Sequence, residues 1–189
     1  TMMNFLELVD VVKKHLGDER RFDHILNVVN VAEQLANHYG ENINDAKIAA
    51  LLHDITKHDS DEFHQTYIAS YFSNNELNEW PKPLWHALSA VAYSVRDLGI
   101  TDANILNAIQ YHTSGRPNMS LLEKIIYVAD YIEPSRRFDN KSVYDLAFIN
   151  LDKAVASIMK STLTYLEERH ATIFKLTQEA YLYYQSKWE

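Results

Sequence analysis

The feature that most restricts this chain is its period. Apolar residues recur at intervals of three and four rather than two, and only four glycines and four prolines interrupt 189 residues. A period near 3.6 demands helices, whereas strands need alternation at two. The expected fold class is therefore all-α.

Phe5, Leu6, Val9, Val12 and Leu16 mark one face of a first helix, which Gly17 closes in a left-handed cap before Asp18 caps the next. The second helix carries Phe22, Ile25, Val28, Val29, Ala32, Leu35 and Ala36 and stops near Gly40. Asn44 is the expected N-cap of a third helix, Asp45 to about Ile55. Further helices are expected from about Ser60 to Phe72, from Leu84 to Leu98, and from Asp102 through His112. The polar run Ser73 to Lys82 reads as a connector, and "TSGRPN" (113–118) as a loop. Ser120 opens an apolar helix, Leu121 to Ile132, which Pro134 terminates. Helices near 141–149, 151–168 and 170–187 complete the pattern. No repeat or long linker divides the chain, so a single domain over residues 1–189 is expected.

Composition excludes several function classes. The chain has no cysteine, so any metal must be held by nitrogen and oxygen rather than thiolate. A net charge of −8 argues against long nucleic acid as a partner. An anionic ligand must then be held locally, and the candidate cations are Arg20, Arg21, Lys57, Arg116, Arg136 and Arg137. No apolar run approaches the roughly 20 residues of a membrane span, and Met3 to Leu16 is amphipathic rather than a signal peptide. A cytoplasmic protein with no membrane partner is expected. Thr1 ahead of Met2 and Met3 is unusual for a native start and reads as a cloning remnant.

The chemistry concentrates where apolar runs end badly. "KIAALLHDITK" (47–57) carries a core-bound helix into His53 and Asp54, and burying a carboxylate beside an imidazole is costly unless a partner such as a metal satisfies both. Asp130 poses the same problem among Val128, Ala129 and Ile132. His24 sits beside Ile25, His86 follows Pro83, and His112 ends its helix. A lone helical histidine is ordinarily a hydrogen-bonded core or surface group, and His15, His38, His58, His64 and His170 read that way.

His24, the doublet His53-Asp54 and the distant Asp130 resemble the HD superfamily of metal-dependent phosphohydrolases, and His86 with His112 match its six-ligand, two-metal subset. "RRFDHILNVVNVAEQLA" (20–36), "AIQYHTSG" (108–115) and "EKIIYVADYIEPSRR" (123–137) narrow the resemblance to the bacterial YqeK family of symmetrical dinucleoside tetraphosphate hydrolases. Ser114 departs from the threonine expected there but keeps a hydroxyl. The resemblance covers about Phe5 to Tyr184 and is weakest in Ser60 to Pro83.

The resemblance implies an HD-domain helical bundle, with its core at about 18–137 and C-terminal helices over 139–187 completing a nucleotide pocket. It implies hydrolysis of diadenosine tetraphosphate into two ADP by a metal-activated water. Asp54 is expected to bridge two ions, with His24, His53 and Asp130 completing one site and His86 and His112 the other. Iron is the expected metal, with manganese or cobalt as substitutes, and an imidazole-rich shell suits such metals better than magnesium. Metal affinity should fall below roughly pH 6 as imidazoles protonate. Asp54, Lys57, His86 and His112 carry the catalytic roles. Lys57, three residues after Asp54, is close to one helical turn away and can point into the same cleft.

Phosphate contacts are expected from Arg20, Lys57, Thr113, Gly115 and Arg136 alongside the ligands, and base and ribose contacts from Ile173, Phe174, Thr177 and Gln178. The expected partner is a dinucleoside polyphosphate or nucleoside diphosphate, and Trp80, Trp85 and the tyrosine-rich C-terminus offer a homodimer face. Two alternatives remain open: another HD-type nucleotide phosphohydrolase, such as a nucleotidase or cyclic-nucleotide phosphodiesterase, and a non-catalytic helical module. The second is expected to lose ligands, whereas all six are present.

Overall fold

A computed structural model describes residues 3–187. The N-terminal remnant inferred from Thr1 and Met2 lies outside them. Among the described residues the chain forms helices and no strand: α1 (Phe5–Leu16), α2 (Glu19–Tyr39), α3 (Ile43–Leu52), α4 (Asp61–Tyr71), α5 (Asn74–Glu79), α6 (Trp85–Arg96), α7 (Ala103–Gln110), α8 (Leu121–Ile132), α9 (Lys141–Ala147), α10 (Leu151–Glu168) and α11 (Lys175–Ser186). No helix among these residues is long and apolar enough to cross a membrane.

The punctuation works as local chemistry predicts. Gly17 and Gly40 end their helices with positive φ, Asp18 accepts from the Arg21 amide, and Ser120 forms a reciprocal capping box with Glu123. Three boundaries differ from expectation. Asn42, not Asn44, caps α3 by accepting from the Asp45 amide. The polar connector contains α5 and a 3₁₀ turn at Lys82–Leu84. The last helix starts at Lys175, so Ile173 and Phe174 lie in the approach to it.

The most consequential difference is at the end of α3. The α-helix stops at Leu52, and the chain continues through His53 to His58 in successive tight turns, with amides of Ile55, Lys57 and Asp59 each bonding the carbonyl three residues back. In such turns side chains at i and i+3 eclipse. Asp54 and Lys57 therefore share one side, and His53 and Thr56 another.

Helix α8 is the axis of the core, packed by α2, α3, α7, α9 and α10. Its Leu122, Ile125, Ile126, Val128, Ala129 and Ile132 are wholly sequestered, as are Ile25 and Val28 of α2 and Leu51 and Leu52 of α3. Each such aliphatic side chain contributes about 1.5–3 kcal/mol by leaving water. A smaller apolar cluster, Ile68, Trp80 and Leu88, sits beside this core and is covered by Trp85, Tyr111, Phe174 and Leu176. Trp80 is thus buried within its own chain, and the Trp85 indole N–H donates to the Trp80 carbonyl.

Candidate metal centre

Four helix ends and one helix face converge. α2 supplies His24, the turns after α3 supply His53 and Asp54, α6 supplies His86, the residues after α7 supply His112, and α8 supplies Asp130. These six residues form two groups able to hold a metal ion: His24, His53, Asp54 and Asp130, and then Asp54, His86 and His112. Asp54 belongs to both. Its Oδ2 lies 3.6 Å from His24 Nε2 and 3.4 Å from His53 Nε2, while its Oδ1 lies 3.5 Å from His86 Nε2 and 3.4 Å from His112 Nε2. One carboxylate turns each oxygen to a different pair of imidazoles.

The far nitrogens explain why the near ones converge. Nδ1 of His53, His86 and His112 each faces the carbonyl three residues back, on Ala50, Pro83 and Ile109. A carbonyl only accepts, so each Nδ1 must carry a proton and each ring turns its Nε2 toward the centre, where it is a ligand atom once free of any second proton. His24 Nδ1 instead lies 3.3 Å from Glu133 Oε2, a carboxylate that is fully buried and accepts from the Ser135 hydroxyl on both oxygens.

This donor set fits a cation. His53 Nε2 is buried without a hydrogen-bond partner, although carboxylate oxygens of Asp54 and Asp130 lie 3.4 and 3.3 Å away. His86 and His112 face each other through Nε2 atoms 3.3 Å apart, two ring nitrogens turned to one point beside Asp54 Oδ1. Unsatisfied buried polar atoms cost free energy that a bound ion would recover. Four imidazoles and two carboxylates suit a transition metal.

The charges respond accordingly. Burial disfavours a charged His53, but the carboxylates of Asp54 and Asp130 outweigh it and push the ring up to about 10. Burial likewise opposes ionisation of Asp54 and Asp130, and the surrounding imidazoles overcome it, holding both carboxyls well below the usual range. His86 goes the other way: burial, only partly offset by Asp54, pulls it down to about 3.

Cations close over the cluster. Arg21 Nη1 donates to Asp54 Oδ2 at 3.1 Å, and Arg136 donates to both the Asp130 carboxylate and its backbone carbonyl at 3.0 Å. Arg20 is exposed, and of the neighbouring pair it is Arg21 that bonds Asp54. Arg20, Arg21, Arg136, Arg137, His24 and Phe138 line an open hollow of about 440 Å³ on the α2 side.

On the side of His112 the surface is aromatic. Trp80, Tyr111, Ile173, Phe174, Pro81 and Glu79 are among the residues lining a second hollow of about 770 Å³. The Phe174 ring lies 5.1 Å from Trp80, and Arg116 stacks 4.3 Å above Tyr111 while bidentately bound to the buried Glu123.

The remaining predicted residues divide. Thr113 adjoins His112 and is partly exposed. Gly115 has φ of +65°, a left-handed conformation that favours glycine, and a Cβ there would displace the end of the Met159 side chain. Thr177 is buried and spends its hydroxyl on the Ser114 carbonyl, tying α11 to the loop. Gln178 is exposed and lines a different hollow, with Lys160, Thr164 and Tyr181.

Arg21, one of the candidate cations by sequence, is the one that bonds Asp54, whereas Glu133 carries no expected role from sequence although it lies in the "ADYIEP" stretch. An acidic residue closing the most apolar helix, three positions past Asp130, was the available signal.

Comparison with known proteins agrees with this geometry. The HD domain model matches residues 21–135. The chain is 40% identical over 173 residues to the symmetrical bis(5'-nucleosyl)-tetraphosphatase of Bacillus subtilis, covering 91% of this chain and 92% of that one. It is 37% identical over 180 residues to the enzyme of the same name from Halalkalibacterium halodurans, covering 95% and 96%. A crystal structure of an HD superfamily hydrolase from Clostridium acetobutylicum superposes with a TM-score of 0.91 at 34% identity, over 99% of this chain and all of the other. The chain belongs to the HD-domain hydrolases, within the family of the symmetrical bis(5'-nucleosyl)-tetraphosphatases.

Proposed function

We propose that this protein hydrolyses dinucleoside tetraphosphates, diadenosine tetraphosphate above all, at the central anhydride to give two nucleoside diphosphates. The observation that carries the reading is Asp54, whose two oxygens face two separate histidine pairs. That arrangement supports a centre of two ions, most simply iron, in which His24, His53, Asp54 and Asp130 hold one and Asp54, His86 and His112 the other.

When bound, the ions supply Lewis-acid charge and a deprotonated water at neutral pH. The chain's own residues do the rest. Lys57, on the same side of its turn as Asp54, neutralises a phosphate oxygen, and Arg21 and Arg136 stand ready to exchange a carboxylate contact for a phosphate one. Thr113 offers a hydroxyl beside His112. The aromatic hollow of Trp80, Tyr111 and Phe174 receives one nucleoside by stacking, with Ile173 at its edge. The arginine hollow receives the second diphosphate half.

A hollow for each nucleoside diphosphate half, one aromatic and one arginine-rich, is compatible with a cut at the central anhydride, with the reacting phosphorus at the ions. Another nucleotide phosphohydrolase activity has no such support from the relatives. The test is product analysis: protein loaded with ferrous iron under nitrogen, or with manganese or cobalt, is given diadenosine tetraphosphate. ADP as the sole early product is expected. ATP plus AMP would overturn the symmetric reading.

A further inference from the structure

His64, on α4, is an ordinary structural histidine by sequence, yet it is 6% exposed and joined to the metal centre by a chain of short contacts. His64 Nδ1 lies 2.7 Å from Ser89 Oγ, Ser89 Oγ lies 2.7 Å from Thr56 Oγ1, and Thr56 Oγ1 lies 2.9 Å from the His86 carbonyl. Thr56 and Ser89 are completely buried. The chain therefore clamps the HD turn, two residues past Asp54, to the first turn of α6, which carries His86.

The protons in this chain have one consistent order. The His86 carbonyl only accepts, so the Thr56 proton is committed to it. The Ser89 hydroxyl donates to Thr56 at 2.7 Å or to the same His86 carbonyl at 3.3 Å, and in either case its proton points away from His64, whose Nδ1–H must then supply the 2.7 Å contact to Ser89. Running the chain backwards would set two lone pairs against each other at 2.9 Å in a buried site, which is costly. Burial also draws His64 down from its ordinary value, opposed by Asp59 and Asp61, which favours the neutral ring.

We infer that His64 is a positioning residue whose Nδ1–H, relayed through Ser89 and Thr56, sets the spacing between Asp54 and His86 and so the affinity of the second metal group. It acts through other residues and touches neither substrate nor metal. His53 lies on the same side of the turn as Thr56, but its own Nδ1 is anchored to Ala50, so the first group is held independently.

The inference rests on the two-group metal reading above but not on the choice of substrate. The experiment is cobalt(II) titration of the metal-free full-length protein, followed by visible absorption and by bound metal per chain. Wild type is compared with His64→Asn and His64→Asp. Asparagine places an N–H donor where Nδ1 stood, whereas aspartate of nearly the same shape only accepts. His64→Asn is expected to keep both cobalt equivalents within about threefold, and His64→Asp to weaken the second by about tenfold or more with the first unchanged. Ser89→Ala, which deletes the relay at its centre, should reproduce the aspartate result, and thermal melting of the metal-free proteins checks that each variant is folded. If wild type binds fewer than two cobalt ions, the metal reading itself fails. If wild type binds two and the asparagine and aspartate variants behave alike, or both equivalents weaken together, the positioning role is wrong.

Discussion

The two halves of the proposed metal centre share Asp54 and little else. The half built from His24, His53 and Asp130 is dense in charge: Glu133 stands behind His24, and Arg21 and Arg136 bind the carboxylates from the solvent side. Among the described residues, the half built from His86 and His112 has no carboxylate beyond Asp54 and is oriented by neutral groups, two backbone carbonyls and the His64–Ser89–Thr56 relay. Charge can hold one ion by attraction across small errors of position. Neutral groups must hold the other by geometry, so the second half should be the one that small structural changes loosen.

Removing what the halves share should have the largest effect. Asp54→Ala deletes the common carboxylate, and with several kcal/mol of charge stabilisation lost, kcat should fall on the order of a thousandfold. Metal analysis should show both equivalents reduced. Retention of full metal content and rate would dissolve the comparison altogether.

Lys57 belongs to neither half and serves as the contrast. Lys57→Ala should leave metal content intact while slowing turnover by about ten- to a hundredfold, the worth of one charge-assisted hydrogen bond. Loss of metal in this variant would mean that the lysine supports the ligands rather than the phosphate.

Glu133→Gln sharpens the comparison by touching one half. It removes the charge behind His24 and should weaken the first equivalent about tenfold while sparing the second. Equal weakening of both in a cobalt titration would show that the halves are not separable.

The smallest effect is a proton count. His53, raised to about 10, holds a proton at neutral pH in the metal-free protein, so filling the first half must expel it. His86, lowered to about 3, is already neutral and releases none. First-equivalent affinity should therefore rise about tenfold per pH unit through neutrality and level off near 10, while His86 adds no pH dependence above about 3. Calorimetric titration in buffers of different ionisation heat should find about one proton released from His53. Release of none would contradict the charge assignment. A protonated His53 would move the pH window expected from free imidazoles, near 6, upward, because two buried carboxylates surround one ring.

Local chemistry explains what was legible in sequence. The helical period, the caps at Asp18, Gly17 and Ser120, and the mismatch of His53, Asp54 and Asp130 with their apolar surroundings all depend on residues within a few positions of each other. The grouping of ligands about Asp54 followed from family resemblance, and spacing alone could not have supplied it. The rest was decided by residues distant in the chain. Arg21 rather than Arg20 reaches Asp54 because the rotation of α2 selects one of two adjacent cations, across 33 positions. Thr177 and Gln178 are neighbours in sequence but face opposite ways from α11, one buried against the Ser114 loop and one lining another hollow. His64 looked ordinary because its polar sequence neighbours gave no hint of Ser89, 25 residues away. The sequence by itself determined which side chains must be buried with unmet charge and lone pairs. Only tertiary packing decided what meets them, because hydrogen bonds and Coulomb contacts act through space while a sequence records only order along the chain.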